Sequence, residues 1–74
     1  MAVVDLPSPM SGSIFELLVA AGDAVTEGQE VLVLDSMKME IPVESPTAGT
    51  VTEVLVAEGD AIDEGALLLR IDAG

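Results

Sequence analysis

Short apolar stretches run along this chain, and glycine or proline interrupts every one. Gly12 opens an apolar stretch over residues 12–19, and Gly49 opens another over 49–56. Each leads into a Gly-Asp pair, Gly22-Asp23 or Gly59-Asp60. Such pairs turn a chain because glycine accepts a positive φ and aspartate bonds nearby backbone. A short apolar pair follows, Ala24-Val25 or Ala61-Ile62, then a second glycine turn at Gly28 or Gly65, then a closing strand over 31–35 or 68–72. Turn signals this closely spaced predict an all-β sandwich or barrel, and no window holds a helical period. One stretch breaks the alternation. Ile14-Phe15-Glu16-Leu17-Leu18-Val19 calls for a bulge or a bend near Glu16, and Glu53 stands at the same place further on.

The pattern is a repeat. Residues 9–35 laid over 46–72, an offset of 37, agree at thirteen of 27 positions. The identities include Gly12/Gly49, Glu16/Glu53, Gly22/Gly59, Asp23/Asp60, Gly28/Gly65 and Asp35/Asp72. Two copies are too few for a solenoid. They point to one domain over residues 1–74, with a single closed core and an internal pseudo-two-fold axis.

Between the copies lies Asp35-Ser36-Met37-Lys38-Met39-Glu40. A hairpin centred on Met37-Lys38 pairs Ser36 with Met39, Asp35 with Glu40, Leu34 with Ile41, Val33 with Pro42 and Leu32 with Val43. Leu32, Leu34, Ile41 and Val43 then share one apolar face. Asp35, Glu40, Val33 and Pro42 share the other. The turn breaks local rules. Tight hairpins favour Asn-Gly or Asp-Gly because their central residues need φ > 0, and Met-Lys supplies neither. Asp35 opposite Glu40 also sets like charges across a strand pair. Rules broken together at one place mark a site where function overrides folding.

Composition sharpens this. Lys38 is the only lysine, Arg70 the only other cation, and fourteen acids bring the formal net charge to −12. Two cations cannot form the basic stripe that nucleic acid requires, and anionic membranes repel such a chain. Strong like charge favours a monomer and a partner with a basic docking face. With no cysteine and no histidine, neither thiolate metal sites nor the commonest general base is available. No catalytic and no metal-ligating residue is therefore assigned. The acids Glu58, Asp60, Asp63 and Glu64 read as solvated turns. The start of the chain lacks the basic flank of a signal peptide, and the default compartment is cytoplasmic. A chain of 74 residues with one aromatic, Phe15, must build its core from Val, Leu, Ile and Ala.

Ser36-Met37-Lys38-Met39-Glu40 resembles the attachment motif of biotinyl domains, in which a lysine between two methionines is biotinylated. Pro9-Met10-Ser11-Gly12 and Ala21-Gly22-Asp23 are similar to that family's pattern too. The resemblance covers nearly the whole chain, and its length resembles small free-standing biotin carboxyl carrier proteins. It implies a flattened barrel of two four-stranded antiparallel sheets (a barrel-sandwich hybrid), with the lysine on a hairpin at one end and the termini at the other. It implies Lys38 as the site of covalent biotin, with Met37 and Met39 as flanking contacts for a biotin ligase and for partners. It further implies carboxyl transfer between a biotin carboxylase and a carboxyltransferase, by a carrier that is not an enzyme alone. Glu40 is either a recognition residue or a solvating charge. Lipoyl domains resemble this chain in fold but typically carry Asp-Lys-Ala, so lipoate is the alternative group on the same lysine. The two copies align without an insertion, which leaves no room for the protruding loop of some acetyl-CoA carboxylase carriers.

Overall fold

The computed structural model describes residues 2–74. Its strands are β1 (Val3–Pro7), β2 (Gly12–Leu17), β3 (Ala24–Val25), β4 (Glu30–Ser36), β5 (Met39–Glu44), β6 (Gly49–Val54), β7 (Ala61–Ile62) and β8 (Leu67–Asp72). They form two four-stranded antiparallel sheets, ordered β1-β8-β6-β3 and β5-β4-β2-β7. This is the fold class that the turn spacing and the family resemblance predict. An offset of 37 residues carries β1 onto β5, β2 onto β6, β3 onto β7 and β4 onto β8, so each strand of one sheet has its counterpart in the other.

The sheets close over an aliphatic core. Leu32 and Leu34 from β4 and Leu68, Leu69 and Ile71 from β8 are fully buried, joined by Ile14 and Val51 from the corresponding positions of β2 and β6. The central strands β4 and β8 thus supply most of the fully buried side chains, at roughly 1.5–3 kcal/mol for each large side chain taken from water. The expected irregularity in β2 is a bulge. Ile14 pairs with Leu34 and Glu16 with Val33, which leaves Phe15 as the extra residue. Thr52 is the extra residue of β6, between Val51 opposite Ile71 and Glu53 opposite Arg70.

Four tight turns place glycine third. Asp23 N–H donates to Ala20 O at 3.1 Å across Gly22, and Asp60 N–H to Ala57 O at 3.1 Å across Gly59. Gly22 and Gly59 have φ of 98° and 93°, a left-handed backbone that the third residue of a type II turn requires. The Asp23 and Asp60 carboxylates each accept the N–H of the turn's first residue at 2.9 Å, which explains the aspartate after the glycine.

β1 is a strand that the repeat, aligned from Pro9, does not reach. It pairs along β8, with Leu6 opposite Leu69, as β5 pairs along β4, with Val43 opposite Leu32. The correspondence continues at Ser8 and Ser45. Both are buried, and each hydroxyl donates to the carbonyl two residues on, Met10 or Thr47, at 2.6 Å. At the chain ends, Ala2 N–H donates to Gly74 O at 3.0 Å and Ala73 N–H to Ala2 O at 2.7 Å. Met1, onto which the offset carries Lys38, lies outside the described residues.

Candidate functional site

The hairpin of β4 and β5 holds the three sequence-predicted site residues together. Its register pairs Leu32 with Val43, Val33 with Pro42, Leu34 with Ile41, Asp35 with Glu40 and Ser36 with Met39. These are the pairs expected from the alternation of the two segments. Only Met37 and Lys38 remain as turn residues. Their φ values are +51° and +65°, and no other non-glycine residue among those described has a positive φ. Two consecutive left-handed residues in a two-residue loop make a type I′ turn, whose twist matches that of the strands it joins. Left-handed backbone costs an L-residue about 1–2 kcal/mol relative to glycine. The molecule carries that strain at its only lysine.

Lys38 and its neighbours face solvent. Met37 is 92% exposed and Met39 63%, the two most exposed of the large apolar side chains. Exposed thioethers at a loop tip gain nothing for folding, and they flank the Lys38 amine with apolar surface. Asp35 and Glu40 stand opposite one another one step below the Ser36–Met39 pair. They place two carboxylates on the outer face of the hairpin, close to its apex.

The apical end of the hairpin is braced from the β1–β2 connection. Ser36 Oγ donates to Ser11 O at 2.8 Å. Glu64 N–H, from the β7–β8 turn, donates to Ser11 Oγ at 3.3 Å. Gly12 lies so close that a Cβ there would come within 2.6 Å of Asp35 O and 3.2 Å of Ser36 Cβ. These contacts anchor the residues that flank the turn. The backbone there is fixed by a strand ladder on one side and by the Gly12 contact on the other.

Sequence reasoning names Gly12 as a strand opener, as a repeat identity and within a family pattern, and Ser11 only within that pattern. Their place against the hairpin depends on the fold. One signal for Gly12 was present: its counterpart Gly49 is also glycine, and a Cβ there would meet Asp72 in the same way.

Of the acids away from the hairpin, Asp23 and Asp60 close turns and Asp5 and Glu53 pair with Arg70. Glu58 Oε2 accepts Leu17 N–H at 3.0 Å, on the far side of β2 from the hairpin. Among the described residues, no group of three His, Cys, Asp or Glu side chains is arranged to hold a metal ion. What the site offers chemically is a primary amine at a rigid, exposed apex. That is a nucleophile for another protein's activated acyl group.

Comparison with known proteins agrees with this geometry. A family model described as "Biotin-requiring enzyme" matches residues 4–71. The biotin/lipoyl attachment protein of Bacillus subtilis is 53% identical over 34 residues, covering 46% of this chain and 47% of that one. The methylmalonyl-CoA carboxyltransferase 1.3S subunit of Propionibacterium freudenreichii is 50% identical over 36 residues, 49% of this chain and 29% of that one. These matches span about half or less of those relatives. The crystal structure of Kluyveromyces lactis urea carboxylase contains a region similar to 97% of this chain, at 29% identity and a TM-score of 0.90, which is 6% of that chain. With the family's model covering almost all of its strands and its lysine hairpin, this chain belongs to the biotin/lipoyl attachment family.

Proposed function

We propose that Lys38 carries covalent biotin, attached by a biotin ligase, and that the chain ferries carboxyl groups between a biotin carboxylase and a carboxyltransferase. The observation that carries this reading is the lone lysine at the apex of a strained turn between two exposed methionines. The residues fit the group: an extended amine with open surroundings accepts an acyl chain without any pocket of its own. Attachment joins the Lys38 Nζ to the biotin carboxyl carbon as an amide. The activating group leaves with the bond electrons, the amine gives up a proton, and the formal net charge passes from −12 to −13. Once bound, biotin supplies a ring nitrogen that accepts and releases carboxyl.

The chain's own part is positional. The ladder of β4 and β5 and the Gly12 contact hold the attachment point still, so the tethered group samples a small volume at high effective concentration. Relatives named as carrier proteins and carboxyltransferase subunits support carriage of carboxyl groups in place of catalysis by the chain alone. The carboxylases among the relatives, propionyl-CoA and pyruvate carboxylase, support the two partner activities. Strong like charge supports a monomer between encounters.

Lipoate on the same lysine is the alternative reading; one relative is named for both groups, but those named biotin carboxyl carrier protein and carboxyltransferase 1.3S subunit do not favour it. Intact mass after incubation with biotin ligase, biotin and ATP tests both. One biotinyl increment is expected on the native chain and none on Lys38→Arg. An unmodified native chain, or an increment matching lipoyl after expression with both ligases present, overturns the biotin assignment.

A further inference from the structure

The two sheets are copies of one another inside but not outside. On the outer face of the β1-β8-β6-β3 sheet, Arg70 in β8 lies between Asp5 in β1 and Glu53 in β6, bonded to them at 3.2 Å and 2.9 Å. The same three positions on the lysine-bearing sheet are Val33, Pro42 and Glu16. The cation is gone, one acid has become proline, and Glu16 keeps its charge without the guanidinium its counterpart has. The bulge residue changes too. Thr52 on one sheet becomes Phe15 on the other, the chain's only aromatic, and it is 52% exposed. The result is an apolar strip of Phe15, Val33 and Pro42, bordered by Glu16 and, toward the hairpin, by Asp35 and Glu40. An isolated exposed phenylalanine is ordinary. An apolar strip with an acidic border, standing where the sister sheet has a closed ion-pair triad, is a surface missing its cation.

Resting on the biotin reading above, we propose that this outer face is the surface on which the biotin ligase docks. The ligase presents an apolar ridge to Phe15, Val33 and Pro42 and an arginine to Glu16, supplying in trans the guanidinium that Arg70 supplies in cis on the other sheet. Reach selects the ligase over the carboxylase enzymes. Val33 is three residue steps below Ser36, about 10 Å along the strand. The lysine side chain extends only about 6 Å from its backbone, at ~1.5 Å per bond. An enzyme that acylates Nζ must sit against the hairpin and the face below it. One that acts at the far end of the biotin arm has no such need.

The pseudo-symmetry supplies the test. The triple variant F15T/V33R/P42D writes the outer residues of one sheet onto the other without changing net charge, and the fold already accommodates those residues at the corresponding positions. The mirror variant D5P/T52F/R70V does the reverse. Steady-state biotinylation with purified ligase, biotin and ATP is followed by intact mass over a range of carrier concentrations. The first variant is expected to raise KM for the carrier about tenfold with kcat within about twofold, and the mirror variant to leave both within about twofold. Glu16→Gln is expected to raise KM about threefold and Glu53→Gln not to, a comparison that stands even if a triple variant folds poorly. Equal KM values for native and F15T/V33R/P42D chains, or equal losses in the two triple variants, overturn the docking surface. If the native chain takes no biotin, the function reading itself fails, which is a separate result.

Discussion

The turn at Gly59 and the turn at Met37-Lys38 both require left-handed backbone, and the chain meets that requirement in opposite ways. At Gly59, as at Gly22, Gly28 and Gly65, the positive φ falls on glycine. Nothing lies within 4 Å of a Cβ placed at any of the four, so φ and not space explains the glycine. At the hairpin the same geometry falls on methionine and lysine, at φ of 51° and 65°. Either could be replaced by residues better suited to the turn, but not without changing what the apex displays. Stability is optimised where the chain only has to reverse direction. It is given up at the one turn that displays methionine and lysine side chains.

The largest test of this contrast lies just below the hairpin. Gly12 differs from the turn glycines because space, and not φ, requires it. A Cβ there would press on the backbone oxygen of Asp35, which cannot swing aside as a side chain does. Gly12→Ala is expected to cost about 2–3 kcal/mol in urea denaturation followed by circular dichroism, and to slow biotin labelling. An unchanged midpoint would mean that the apical end of the hairpin yields easily.

A smaller pair of changes should move in opposite directions. Gly59→Ala has room for its methyl and is expected to lose about 1 kcal/mol through φ alone. Met37→Asn places a residue that tolerates left-handed backbone in the type I′ turn. It is expected to gain about 0.5–1 kcal/mol while lowering the labelling rate. Loss of stability in Met37→Asn would show that the methionine contributes to folding after all. Smallest is Arg70→Val, which gives β8 the residue that β4 has at the same place. Arg70 is 42% exposed, and its ion pairs are open to solvent. A change below about 1 kcal/mol, shrinking further with added salt, is expected in the same assay.

The alternation of Leu32, Leu34, Ile41 and Val43 made the hairpin register legible in advance, since a slip of one residue would turn all four to solvent. The bulge was legible as a break in alternation, but which residue it displaces was not. Phe15 and Glu16 both stand opposite Val33, and only the ladder to β4 separates them. β1 was hidden for a related reason. It is an edge strand, and the offset leaves none of its residues identical to those of β5. Pairing with β8 makes it a strand, more than any preference in the five residues themselves.

By itself the sequence determined a duplicated all-β unit with its only lysine at the junction of the copies, because turn chemistry and side-chain alternation are local properties that the order of residues carries. Only the tertiary structure decided that Ser11 and Gly12 brace that junction, that both turn residues are left-handed, and that Arg70 finds two carboxylates on one sheet while Glu16 finds no guanidinium on the other. Those facts depend on which strands become neighbours, and burial of the shared core fixes that choice.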